Sequence, residues 1–177
     1  YIIRVHALYL MYCKVFNNQA KDSTGGFYSS HTRLNCVVKS VIYNNTGVYG
    51  GLRFIQGKYM VIHKCIFYKN KATSYGGAIR ILKIDKIHIL RNLIIGNEAS
   101  IAGGIICTTL KSVVIMNCYL CKNVAQYLGG GIYISNFVYT NSSVMVLESI
   151  FTGETAEQEG DDILVKNVWK FYLYNIA

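Results

Sequence analysis

Apolar residues come in short runs along this chain, and small polar residues interrupt them at a regular interval. "MVIHKCIFY", "IHILRNLII" and "VVIMNCYLC" alternate or run apolar over four to five residues and are rich in β-branched side chains, the pattern of strands. A helical repeat needs an i, i+3, i+4 apolar stripe sustained over ten or more residues. Glycine, asparagine and serine break the runs before that length is reached. The interruptions themselves repeat. Asparagines stand at Asn18, Asn45, Asn70, Asn97 and Asn123, with Glu154 in a decayed sixth copy, at steps of 27, 25, 27, 26 and 31 residues. Glycine pairs follow them: Gly25 and Gly26, Gly50 and Gly51, Gly76 and Gly77, Gly103 and Gly104, Gly129 and Gly130, then Gly160 alone. A fixed period of this size marks a solenoid.

Each repeat predicts three short strands: one after the glycines, one about ten residues before the asparagine, and one ending just before it. Three strands and three turns in roughly 26 residues describe one coil of a parallel β-helix of about six coils. In such a stack, equivalent positions of successive coils lie about 4.8 Å apart, so each column should hold one kind of residue. Three before the anchor stand Val15, Ile42, Phe67, Ile94, Leu120 and Phe151; eight before it stand Leu10, Val37, Ile62, Ile89, Ile115 and Val146. Both columns are apolar and predict inward positions. Five before it, Cys13, Ser40, Cys65, Asn92, Cys118 and Ser149 form an inward column of small residues. Six before it, Tyr12, Lys39, Lys64, Arg91, Asn117 and Glu148 are mostly polar and predict an outward one. That alternation is what a pleat imposes. A stacked asparagine tolerates left-handed backbone at a corner, and its amide can bond the next amide along the axis. The glycine pair predicts a second corner with positive φ and close backbone packing.

Phe67-Tyr68-Lys69-Asn70 fits an FxxN motif, and Gly76-Gly77-Ala78-Ile79 fits a GGAI motif. Together they resemble the repeats of chlamydial polymorphic outer membrane proteins, over about five coils of this chain. The resemblance implies a right-handed parallel β-helix of the pectin-lyase-like kind and a surface-exposed, adhesive or scaffolding role. It implies no catalytic residues.

Composition sharpens this picture in a few places. Proline is absent, as suits a chain that is nearly all ladder. No run of 18 apolar residues occurs, so no transmembrane helix is expected. The opening "YIIRVHALYLMYC" carries Arg4 and His6 and lacks a small-residue cleavage site, so it reads as folded structure and not as a signal peptide. Through Leu147 there are 16 Lys and Arg against 3 acids; from Glu148 on there are 2 against 6. The basic body points to anionic polysaccharide or another protein more than to nucleic acid, for which no recognised module is present. Solvation of an exposed edge explains the charge equally well.

Polysaccharide-cleaving enzymes share this fold and need clustered carboxylates. Asp22, Asp85 and Glu98 fall in different columns, so no such cluster is expected before the last coil. Glu157, Glu159, Asp161 and Asp162 read as a solvated acidic corner more readily than as a Ca²⁺ loop. Cys13, Cys65 and Cys118 lie two coils apart, too far to bridge. Cys118 and Cys121 face opposite sides of a strand, whereas Cys36, Cys107 and Cys121 are expected to point outward. His6, His31, His63 and His88 form no ligand set. No cofactor or metal is expected. Sequons at Asn44 and Asn141 mark exposed glycosylation candidates and favour a secreted glycoprotein.

We therefore expect an all-β, right-handed parallel β-helix over residues 1–177, one segment of a longer solenoid. Its expected role is that of a structural or adhesive part of an extracellular or cell-surface protein, able to form filaments, and not an enzyme. The alternative is a pectin-lyase-like carbohydrate-binding or carbohydrate-cleaving domain. "NVWKFYLYNIA" reads as the strand of a coil still to be covered, with Trp169, Phe171 and Leu173 awaiting adjoining coils or a second copy.

Overall fold

A computed structural model describes residues 1–136 and 138–177; Phe137 lies outside the described residues. Among the described residues there is no helix, and the strands pair in parallel into sheets of twelve, six and five strands. The chain is a parallel β-solenoid of about six turns with about 27 residues per turn.

The six-stranded sheet stacks Lys14–Phe16, Val41–Tyr43, Ile66–Tyr68, Leu93–Ile95, Tyr119–Cys121 and Ile150–Thr152, one strand per coil. Its register places Val15, Ile42, Phe67, Ile94, Leu120 and Phe151 directly over one another. In the large sheet Leu10, Val37, Ile62, Ile89, Ile115 and Val146 form a second such line. From Ile42 to Leu120 and from Val37 to Val146 these side chains are fully buried. They join Leu52, Phe54, Ile79, Ile81, Ile105, Ile132 and Ile134 in one core that runs through the coils.

Two features exceed the three-strand expectation. A fourth short strand follows each anchor from the second coil on: Thr46–Gly47, Lys71–Ala72, Glu98–Ile101, Val124–Leu128 and Thr155–Ala156, which make the five-stranded sheet. And in the two central coils the first and second strands run together as Leu52–His63 and Ile79–Leu90. The corner survives inside each as a single left-handed residue, Gln56 at φ 58° and Lys83 at φ 57°.

Candidate functional site: the asparagine spine and an outer arginine-tyrosine ladder

Each anchor asparagine follows the last core residue of a strand by three positions, so its side chain enters the coil just past the apolar column. Asn45, Asn70, Asn97 and Asn123 are fully buried. Nδ2 of Asn18, Asn45, Asn70 and Asn97 donates to Oδ1 of the next anchor at 2.9, 2.9, 3.0 and 2.8 Å. The same Oδ1 accepts the preceding anchor's backbone N–H. Each Nδ2 from Asn45 on also reaches back to a main-chain carbonyl one coil below: Val15, Ile42, Phe67 and Ile94. Both donors and the acceptor are thus used in a buried site. The left-handed residue of this corner is the one before the anchor, however: Asn17, Asn44, Lys69, Gly96, Lys122 and Gly153, with φ between 52° and 66°. The anchor supplies hydrogen bonds, and its neighbour supplies the turn.

Glu154 ends the spine. Its carboxylate accepts N–H and Nδ2–H of Asn123 at 2.9 and 3.2 Å, yet it is 4 % exposed. Burial raises its pKa from 4.5 to about 7, outweighing the stabilising Asn123 bonds, and nearby Asp162 adds to the rise. The folded state therefore holds this proton more tightly than the unfolded chain. Glu154's contribution to stability is greatest below about pH 4.5, where both states are protonated, and is lost as pH rises to about 7. Glu154→Gln keeps an acceptor and removes the charge. The unfolding free energy from urea titration should rise for this variant by on the order of 2 kcal/mol at pH 8, with solvent screening allowed for, and nearly match the parent at pH 4.5. Equal midpoints at pH 8 would contradict the assignment.

The glycines divide by function. Gly25, Gly50, Gly77, Gly103 and Gly130 share one column, where an added Cβ would meet backbone at 2.6, 1.9, 2.3, 2.5 and 2.5 Å. Gly26, Gly51 and Gly104 stand in the next column with Ala78 and Gly131, and an added Cβ at each of the three would meet backbone at 2.2, 2.6 and 2.3 Å. Only Gly76 and Gly129 of the ten have positive φ, both at 66°; Ala102 takes that conformation between them at φ 60°. For the other eight, close approach and not positive φ excludes a side chain.

Cys13, Cys65 and Cys118 alternate with Ser40, Asn92 and Ser149, and the backbone N–H of each cysteine donates to the next coil's polar side chain at 3.1, 2.9 and 3.2 Å. Cys107 does not point outward as expected. It stacks between Ile81 and Ile134, fully buried, because the strand Ile105–Thr108 begins on an inward residue. Burial pushes its thiol far above the ordinary value. Cys36 and Cys121 are half-buried, and all six cysteines are free.

Asp85 accepts Lys111 at 3.1 Å and Glu98 accepts Lys71 at 2.7 Å, in different sheets. Among the described residues no group of three or more His, Cys, Asp or Glu is placed to hold a metal. Asp161 accepts the backbone N–H of Ala156, and Glu159 pairs with Lys166. Asn44 and Asn141 are both exposed. A shallow groove of about 540 Å³ runs over the five-stranded sheet past Lys71, Glu98, Gln126 and Glu157.

One constellation escaped the sequence reading. Arg53 and Arg80 are stacked outward neighbours in the large sheet. The ring of Tyr49 lies between them, 3.8 Å from the Arg53 guanidinium carbon and 4.3 Å from that of Arg80. Tyr28 packs on Arg53 at 5.0 Å and Tyr75 on Arg80 at 4.6 Å. The signal was present as "YGGLR" and "YGGAIR": each glycine turn folds its tyrosine back onto the arginine beyond it. On the adjoining face Phe16, Tyr43 and Tyr68 stack at 4.9 and 4.8 Å within 4° of parallel.

The class is therefore a parallel β-solenoid held by a buried asparagine spine and carrying polar and aromatic ladders outside. Residues 64–81 match the family model described as the Chlamydia polymorphic membrane protein (Chlamydia_PMP) repeat. That segment holds Phe67, Asn70, Gly76 and Gly77. The match suggests a surface or outer membrane protein with a β-helical fold. No curated protein and no solved structure matches the chain.

Proposed function

We propose that the chain is a structural or adhesive segment of an extracellular or cell-surface β-helical protein. The repeat match at residues 64–81 carries this reading. The geometry supports it: the interior is filled with aliphatic side chains, which leaves the outer faces for contact. Catalysis is not part of the reading, since Asp85 and Glu98 are each paired with a lysine and burial raises the thiols of Cys36, Cys65, Cys107 and Cys118. Antibodies against the folded chain should label intact cells of the source organism; labelling only after permeabilisation would overturn the surface assignment.

Two finer expectations belong to the same reading. The strand Lys170–Tyr174 is exposed along its whole length and among the described residues pairs only with Ser143–Leu147, and Trp169 is 67 % exposed. Such an edge supports contact with a further coil or a second copy. Sedimentation of the 177-residue chain should show oligomers that salt weakens, because a basic body meets an acidic last coil; a monomer indifferent to salt would contradict it. Asn44 and Asn141 should carry glycans if the protein comes from a eukaryotic secretory pathway, and intact mass should then fall on deglycosylation.

Carbohydrate binding is a second reading, favoured by the ladder of Arg53, Tyr49 and Arg80.

A further inference from the structure

Arg53 and Arg80 repeat the same outward position in adjacent coils, so two like charges stand about 4.8 Å apart at their Cα atoms. Among the described residues neither is bridged to a carboxylate. Tyrosine faces relieve part of the repulsion. They also take water away: Nε of Arg53 and Nη1 of Arg80 are buried without a hydrogen-bond partner. Burial pulls the Arg80 pKa down from its ordinary value. A half-dehydrated pair of cations without an internal counter-ion is costly, and an anion from outside removes that cost. Further cations stand beyond the corner at Gln56 and Lys83. Lys86 sits over Tyr59 at 5.9 Å on the same two long strands, and Lys39, Lys64 and Arg91 line the corner at their far end.

Resting on the carbohydrate-binding reading, we propose that this outer face binds a sulfated or carboxylated polysaccharide, with Arg53 and Arg80 as its anchoring pair and Tyr28, Tyr49 and Tyr75 as the rigid frame. A linear polyanion matches the pair because a pyranose unit is about as long as one coil is thick, so two neighbouring acidic groups can meet Arg53 and Arg80 together. The guanidinium fork suits sulfate and carboxylate in a way that an ammonium does not. The frame holds the forks before the ligand arrives, so little side-chain freedom is lost on binding.

The test uses the purified 177-residue protein at 150 mM salt, so its result is independent of where the protein resides in the cell. Heparin and polygalacturonate are the probes; neutral dextran, a DNA oligonucleotide and polyglutamate are the comparisons. We expect binding to one or both acidic polysaccharides and none to dextran. Arg53→Gln with Arg80→Gln should weaken that binding by about tenfold or more. Arg53→Lys with Arg80→Lys keeps the charge and should recover only part of it. Lys69→Gln with Lys122→Gln removes equal charge at the asparagine corner and should change affinity by less than about threefold. Circular dichroism and melting of each variant establish that it is folded. Equal losses in the arginine and lysine variants would overturn the proposal, as would full recovery by lysine, tighter binding of DNA or polyglutamate, or no binding of either polysaccharide.

Discussion

Asn70→Ala should destabilise the fold by at least about 3 kcal/mol, since it removes four buried hydrogen bonds and strands groups on both adjacent coils. Oδ1 of Asn70 accepts from Asn45 N–H and Nδ2–H at 3.2 and 2.9 Å; its Nδ2 donates to the Ile42 carbonyl and Asn97 Oδ1 at 2.9 and 3.0 Å. Alanine leaves these partners in a site closed to water. Asn70→Asp preserves the shape but loses both donors and buries a charge, so at neutral pH it should cost no less. The comparison residue is Asn44, one position from an anchor yet exposed. Asn44→Gly keeps the left-handed turn at φ 53° and should change the urea midpoint far less than Asn70→Ala does. If both cost the same, the spine is not a stabilising element.

Phe67→Ala should cost about 3–5 kcal/mol, the cost of a cavity where a fully buried ring stood. Phe67 is 0 % exposed and lies in register between Ile42 and Ile94, so neither neighbour can move into the space without leaving its own strand ladder. Phe67→Leu keeps most of the volume and should cost less than about 1.5 kcal/mol. Solenoids transmit damage mainly to adjacent coils, so hydrogen exchange in the variant should quicken first around Ile42 and Ile94. A cost below about 1 kcal/mol for Phe67→Ala would place the ring outside the core.

The coil was legible because repetition multiplies a weak signal. One phrase such as Phe67 to Asn70 says little, but five anchors with aligned apolar columns fix both the period and the inward face. What stayed hidden was local. Thr46–Gly47 and Lys71–Ala72 are strands of two residues, too short for any alternation to appear. The left-handed turn fell on Lys69 and Lys122, residue types without a preference for it; the stacked bonds of the next residue impose the conformation. The two roles of the glycines were merged because Gly76 and Gly50 both begin a pair, although Gly76 sits one column earlier. Cys107 was misplaced because Ile105–Thr108 is apolar on both sides, with Ile106 buried as well, so polarity alone did not show which residues faced in. The arginine-tyrosine ladder needed the glycine turn to be built before its partners could meet.

Hydrogen exchange of the asparagine side-chain amides, followed by NMR, addresses the stacked spine most directly. The Nδ2 protons of Asn45, Asn70, Asn97 and Asn123 should exchange as slowly as the backbone N–H groups of the Ile62 and Ile89 strands, while those of Asn44 and Asn141 exchange at the rate of free amides. Rapid exchange at all of these asparagines would contradict a continuous buried ladder, and with it the coil register on which the outer faces depend.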